Sequence, residues 1–438
     1  MHTYEETLRY LDSFVNYEKI GLEKIGGKSF DLDRLRGVLK KLDDPQRSYC
    51  SAHIAGTKGK GSVCAFTSSI LRESGYRVGL YTSPHLVTPT ERISINGDPI
   101  SREDLASVVG ELREIIPNAA SGFSFFEVFT LIAMLYFSKN DVDFAVFETG
   151  MGGRLDATNV IDSKVCGISP ISYDHMHVLG EKIEQIASEK AAIIKNEAYC
   201  ISSPQCEPAL DVIRKRCEEQ NSELSLVGKD ITCDMISCGV EGSTFDLITP
   251  KGEYKECRTG LLGNFQIENC ATAVGICERL IDDKIDVDNF KRGIERAFIP
   301  GRMEILSRDP VILIDGAQNG ESASRLKYSV EQIFKYDKLI LLLGLARDKD
   351  IKNVCQELAP LASEIVLTRA SVSRSADPLL IRGYLAGEKA KITSDVKEGL
   401  GVALKLAGKN DLILATGSFY VIGEVRELLV STRAPEHK

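Results

Sequence analysis

The sequence predicts an α/β protein of more than one domain, and three observations predict it. The chain has 438 residues, 43% of them hydrophobic, enough for two or three separate cores. Strand, loop and helix patterns alternate along most of its length, as parallel sheets with crossover helices require. Polar or glycine-rich loops follow the apolar strands, where open α/β sheets place their ligands.

Leu8, Leu11, Phe14 and Val15 recur at helical spacing, so the chain opens on an amphipathic helix. Ser48–Ala55 is short, apolar and turn-bounded, which suits a buried strand. The loop GTKGKGS (56–62) follows, then a helix over Val63–Ser74 ending at Gly75. A second strand, Arg77–Tyr81, runs into TSPHLVTPTER. Phe125–Ser138 reads as a helix and Asp143–Phe147 as a strand that empties into ETGMGGRLDATN. The strand Val165–Ser169 leads to PISYDHMH, and Glu184–Ile194 reads as a helix. From about 200 to 260 the strands look short and polar, as in Ser243–Ile248 before the turn TPKG. An antiparallel edge or satellite sheet is expected there. Helix returns at Leu262–Cys277. Near Ile299–Arg302 a second α/β series begins, with strands over Val311–Asp315, Lys338–Gly344, Glu364–Thr368 and Asp411–Gly417. A linker is expected near residue 298.

Composition narrows the function classes. The 54 Lys+Arg against 63 Asp+Glu give a net charge of −9, which repels a phosphate backbone and argues against nucleic-acid binding. The twelve cysteines are scattered from Cys50 to Cys355 with no C-x2-C pair, so reduced thiols are expected rather than disulfides or zinc. The N-terminus has acids early and no apolar core, unlike a signal peptide. The most apolar stretch, Phe123–Phe137, is too short to span a bilayer and contains Glu127. A cytoplasmic protein without membrane partners is expected, and a monomer by default.

The chemistry concentrates in a few motifs. In GTKGKGS, Gly56, Gly59 and Gly61 let the backbone bend, and the following helix offers its positive end to a phosphate. Lys60 can reach phosphate charge and Ser62 offers a hydroxyl. Lys60 precedes Gly61, so the strict G-x4-G-K-[ST] order fails by one position; phosphate binding is the favoured reading and a tight structural turn the alternative. Glu148 ends the apolar run DFAVF beside a glycine-rich loop, where a carboxylate can hold Mg2+ or simply be solvated. His175 follows the third strand end, but Mg2+ prefers oxygen, so spacing does not make it a ligand. Lys190, in EKIEQIASEKAAIIK, reads from spacing as an ordinary surface lysine. Arg302, Asp315 and Lys349 are candidates for triphosphate and ribose contacts, with capping or ion pairing as the plain alternative.

Taken together and in this order, HIAGTKGKGS, YTSPHL…ERI, FFE, ETGMGGRLDATNV, ISYDHMHVLG, EKAAIIK, PGRME, DGAQN, DKD and TGSFYVIGEVR resemble the folylpolyglutamate synthase and dihydrofolate synthase family, a branch of the Mur ligases. The resemblance runs over nearly the whole chain. It implies a phosphate-loop ATP-binding domain of Mur ligase type over residues 1–297 and a smaller Rossmann-like glutamate ligase domain over 298–438. It also implies an ATP-dependent carboxylate–amine ligase. ATP would phosphorylate a folate or dihydropteroate carboxylate, and the amino group of L-glutamate would attack the acyl phosphate. By the same resemblance Gly56, Thr57, Lys58, Gly59, Lys60, Gly61 and Ser62 would cradle the phosphates. Ser83 and Glu148 would hold one Mg2+ and His175 a second. Lys190 would be carbamylated and support that second ion, which overturns the surface reading. Gln266, Asn269, Arg302, Asp315 and Gln318 would lie at the nucleotide, and Phe126 and Asp156 would line a pteroate pocket.

Three departures from the family pattern stand out. DGAQNG carries Gln318 and Gly320 where DGAHNP is usual, and an amide cannot take up a proton as an imidazole can. Phe265 stands where His often precedes Gln266, and Lys58 where many bacterial members have Asn. Other readings remain. One is a Mur-type ligase with a different carboxylate substrate, although only about 55 residues precede the phosphate loop. The others are a regulatory NTPase and a degenerate ATP-binding relative, the last motivated by Gln318.

Overall fold

The computed structural model of the chain describes residues 3–20, 31–281, 286–385 and 390–430. Its framework is two mainly parallel sheets with helices on their faces. The first has eight strands: β1 (Cys50–Ala55), β2 (Val78–Tyr81), β3 (Ile93–Ile95), β4 (Asp98–Pro99), β5 (Phe144–Glu148), β6 (Val165–Ile168), β7 (Tyr199–Ser202) and β8 (Glu223–Leu226). They lie in the order β4-β3-β2-β5-β1-β6-β7-β8. All pair in parallel except β3 and β4, which add an antiparallel edge. The central strands β1 and β5 are apolar and nearly all buried, as a sheet covered on both faces requires.

Helix Lys60–Glu73 lies on one face against helices Phe265–Leu280 and Val287–Arg296. The approach is close: a Cβ on Gly293 would sit 2.4 Å from Ile70 Cα. The opposite face carries helix Phe125–Lys139, apolar nearly all round and therefore wholly interior. Its start is fixed by a capping box in which Ser124 and Glu127 bond each other's backbone, with Arg34 Nη2 on Glu127 Oε1 at 2.8 Å.

A separate antiparallel sheet is made by β9 (Thr232–Gly239), β10 (Gly242–Thr249) and β11 (Gly252–Thr259). The third sheet contains β12 (Glu304–Arg308), β13 (Val311–Asp315), β14 (Leu339–Leu343), β15 (Glu364–Leu367), β16 (Ala390–Ile392) and β17 (Leu412–Thr416). Its order is β12-β13-β17-β14-β15-β16, with only β12 antiparallel.

Several sequence expectations shift. The opening helix ends at Asp12, before Phe14. The phosphate-loop helix starts at Lys60 rather than Val63. The satellite sheet covers only 232–259, because β7 and β8 extend the main parallel sheet. Among the described residues no helix is long and apolar enough to cross a membrane. The described cysteines are all free, and most are buried.

Candidate active site

The carboxyl ends of β1, β2, β5 and β6 all open on one edge of the first sheet, as parallel strands must. Those of β13, β14, β15 and β17 open on one edge of the third. Both edges line a single cleft of about 720 Å³. Lys60, Ser83, Glu148, Phe126, Asp156, His175, Gln266, Asn269, Arg302, Asp315 and Gln318 all reach it.

The phosphate loop is tightly built. Gly56 has φ +152°, and a Cβ there would lie 1.9 Å from Ser169 Oγ. The N–H groups of Thr57 and Lys58 both donate to Pro170 O, at 2.9 and 3.3 Å. Thr57 Oγ1 accepts from Ser172 N–H at 3.1 Å. These bonds leave the first turn of helix Lys60–Glu73, whose N–H groups lack intrahelical acceptors, as the anion cradle. Gly59, at φ +82°, starts that helix, and a Cβ on it would meet Asn269 Oδ1 at 2.5 Å. Asn269 Nδ2 donates to Gln266 Oε1 at 2.9 Å, so this buried amide pair packs directly beneath the loop. Lys60 Nζ donates to Gly56 O at 3.3 Å.

Glu148 closes β5 at the floor of the cleft. Its Oε2 accepts from Ser83 N–H at 3.1 Å, which brings the two expected Mg2+ ligands together. Burial pushes its carboxyl pKa up, against the pull of Lys60 and Arg302. Mg2+ takes about six oxygens. Among the described residues no group of three or more His, Cys, Asp or Glu could hold a metal alone. A site at Glu148 and Ser83 therefore fits an ion that draws its other oxygens from phosphate and water.

His175 stands at φ +50° on the cleft wall, and Asp174 accepts its N–H at 3.0 Å. Burial lowers its pKa to about 4, so the imidazole is neutral and has a lone pair to offer. Asp174 pairs with Lys58 at 3.2 Å. Lys349, from the other sheet, faces the same acid, and burial followed by Arg374 depresses its pKa.

Lys190 contradicts the surface reading that its spacing invites. It is 4% exposed, and its Nζ donates to Gly56 O at 2.8 Å. Burial, then Lys60, lowers its pKa to about 7. Its amine end lies under the phosphate loop, and the loop 150–156 lies on the backbone of its helix, Ile183–Ala191. Arg154 N–H donates to Glu189 O at 2.8 Å, and a Cβ on Gly153 would sit 2.6 Å from that same oxygen.

Farther along the cleft, Phe126 packs on Gly150, where a Cβ would fall 2.7 Å from the ring. Asp156 is buried beside it and accepts from Met151 N–H at 2.9 Å and Thr158 N–H at 3.0 Å. At the opposite end Arg302 lies over the Phe419 ring, 4.5 Å from its centroid. Asp315 accepts from the N–H groups of Met303 and Ala317 at 3.0 and 2.9 Å, so its carboxylate fixes the turn as well as facing Arg302. Gln318 is anchored through its N–H to Ser322 Oγ at 3.2 Å.

Sequence reasoning missed a cluster at the seam between the two sheets. Arg92 is fully buried over the Phe125 and Phe129 rings. Its Nε donates to His85 Nδ1 at 2.8 Å and its guanidinium clasps the Glu18 carboxylate. The Glu18 carbonyl oxygen in turn accepts from Arg374 and, at 3.4 Å, from Tyr420 Oη. The blocks TSPHL, ERI and TGSFY contain His85, Arg92 and Tyr420, but nothing in their spacing joins them to Glu18.

A family model described as the Mur ligase middle domain matches residues 54–277, and one described as the Mur ligase glutamate ligase domain matches 301–419. A Bacillus subtilis protein named dihydrofolate synthase/folylpolyglutamate synthase is 33% identical over 408 residues, covering 91% of this chain and 94% of that one. This chain belongs to that family of Mur ligases. It is an ATP-dependent ligase. Solved relatives share the fold over almost their full length. Mycobacterium tuberculosis folylpolyglutamate synthase complexed with ADP has a TM-score of 0.88 at 29% identity, covering 99% of each chain. The E. coli FolC structure in complex with DHPP and ADP has a TM-score of 0.85 at 26% identity, covering 99% of this chain and all of that one.

Proposed function

We propose that this family member joins L-glutamate to the carboxylate of dihydropteroate or of a reduced folate, through an acyl phosphate. The observation that carries the reading is the continuity of the cleft: one cavity runs from Lys60 and Glu148 to the wall formed by Phe126 and Asp156. A terminal phosphoryl on the loop and an acceptor ring on that wall would then face each other. The E. coli relative solved with DHPP and ADP supports both occupants.

A carboxylate is a poor electrophile, being anionic and resonance-stabilised, and phosphorylation gives it a leaving group. Lys60 and the N–H groups of the first helical turn bind the transferring phosphoryl and offset its charge. Arg302, stacked on Phe419, and Asp315 hold the nucleotide from the second sheet, with Gln266 and Asn269 beneath the loop. Ser83 and Glu148 would hold one Mg2+ and His175 a second. Lys190 as a carbamate would supply the oxygen ligand that His175 alone does not. Bound Mg2+ supplies charge neutralisation at the phosphates. Enclosure between two sheets keeps water from the acyl phosphate. The domains are taken as 1–297 and 298–438, and the protein as a cytoplasmic monomer acting on small molecules, with no nucleic acid or membrane partner.

The test supplies purified protein with ATP, Mg2+, L-glutamate and either 7,8-dihydropteroate or tetrahydrofolate, and follows ADP and product mass. Glutamate-dependent ADP release with dihydropteroate marks dihydrofolate synthase activity. Release with tetrahydrofolate, and a product heavier by one glutamyl unit, marks polyglutamylation. Glutamate-independent ADP release would overturn the reading. Gln318 favours one second reading, a ligase with a shifted carboxylate substrate, which glutamate-dependent turnover of neither folate would support.

A further inference from the structure

We propose that His53 is a positioning residue for the acceptor, acting through Thr158 on the Asp156 carboxylate. The inference rests on the reading of Asp156 as part of the acceptor wall.

His53 lies in the middle of β1 with no exposed surface, and its Nε2 is 2.7 Å from Thr158 Oγ1. Thr158 Oγ1 is 2.5 Å from Asp156 Oδ1, which also receives the Thr158 N–H. Asp156 Oδ2 takes the Met151 N–H. Three side chains thus connect the interior of the sheet to the turn that carries Gly150 and Met151 against Phe126.

The chain has one consistent direction. A threonine hydroxyl has a single proton and a carboxylate only accepts, so that proton points to Asp156. The hydroxyl then offers the imidazole only a lone pair, and His53 Nε2 must carry the hydrogen. Nδ1 is left as an acceptor, and it is a buried atom without a hydrogen-bond partner among the described residues. In the reverse direction a protonated Asp156 would donate to Thr158, and Thr158 to Nε2. That would place a hydrogen on Nδ1 and bury an unpaired N–H, which proteins almost never do. Burial, with Lys195 adding to it, keeps the ring neutral.

A histidine here is costly. The neighbours in CSAHIA are small or apolar, and a buried nitrogen without a partner loses its hydrogen bond to water with nothing in return. Its return is a donor that occupies the Thr158 oxygen, so the hydroxyl cannot turn away from Asp156. The carboxylate is held as a fixed anion at the wall. An acceptor ring that presents N–H donors on that edge is favoured over one that presents only oxygens.

The experiment measures kcat and KM for 7,8-dihydropteroate, ATP and glutamate in the wild type, His53→Leu, His53→Gln, Thr158→Val and the double variant His53→Leu/Thr158→Val. Loss of the relay is expected to raise the acceptor KM about tenfold, with the ATP KM unchanged. The double variant is expected to be no worse than either single one, since both cut one chain. His53→Gln, whose amide can donate from a similar reach, should recover most of the loss. Imidazole 15N spectra of the wild type should show a neutral, Nε2-protonated His53. An Nδ1-protonated ring, additive losses, or equal rises in acceptor and ATP KM would overturn the proposal. Should His53→Leu fail to fold, Thr158→Val and His53→Gln decide by the same criteria. If the wild type turns over no folate acceptor, the functional reading fails instead, and the tautomer still decides the relay.

Discussion

Lys60 and Lys190 donate to the same carbonyl, that of Gly56, yet arrive from different elements. Two lysines converging on the phosphate loop make strong predictions. Lys60→Ala should abolish turnover while leaving the thermal transition in place, because its cation is needed only when phosphoryl charge builds up. Lys190→Ala should lower kcat about a hundredfold or more; full activity in the same assay would remove Lys190 from the chemistry. Gln318→His is expected to raise turnover with folate acceptors, and a fall would assign the amide to another substrate. Part of this was legible in the residues. Glycine content announced the phosphate loop, and an acid at the end of FAVF announced Glu148. Lys190 was not legible, because helical spacing reports which face of a helix is polar and says nothing of a loop folded over it. Nor did composition reveal that Pro170 consumes the N–H groups of Thr57 and Lys58.

At the scale of elements, the loop 150–156 and the helix Ile183–Ala191 form one unit. Gly153→Ala forces a methyl group against Glu189 O at 2.6 Å. Backbone on both sides leaves little room to yield, so a loss of about 1–3 kcal/mol is expected. Calorimetric melting should show it, and the acceptor KM should rise because Met151 and Asp156 shift with the loop. The strands Cys50–Ala55, Phe144–Glu148 and Leu412–Thr416 were plain in the sequence because burial on both faces leaves a continuous apolar run. Glu223–Leu226 was not, since ELSL carries too few residues and too mixed a pattern to declare its sheet. Its place is set by pairing with Tyr199–Ser202, a contact between segments about twenty residues apart.

For the whole molecule, the cleft exists because two sheets turn their carboxyl edges toward each other, and the halves are joined by apolar packing, with Leu86 beside Gly301 and Gly423, as well as by polar contacts. Ser172 Oγ donates to Glu321 at 2.9 Å, and Glu18 links the buried Arg92 on one side to Arg374 and Tyr420 on the other. Glu18→Ala strands a buried guanidinium with His85 as its remaining hydrogen-bond partner among the described residues. A destabilisation of about 3 kcal/mol is expected, read from denaturant titration. The two-sheet plan followed from alternating patterns, but the seam did not, since Glu18 meets Arg374 and Tyr420 more than three hundred positions along the chain. One consequence of that seam concerns how it can be undone. The knot that spans the two halves is tied on a peptide oxygen, which every amino acid possesses. Exchanging the side chain at position 18 can therefore weaken the first half while leaving this fastening in place; a change in the path of the main chain, or in Arg374 and Tyr420 themselves, is what unties it.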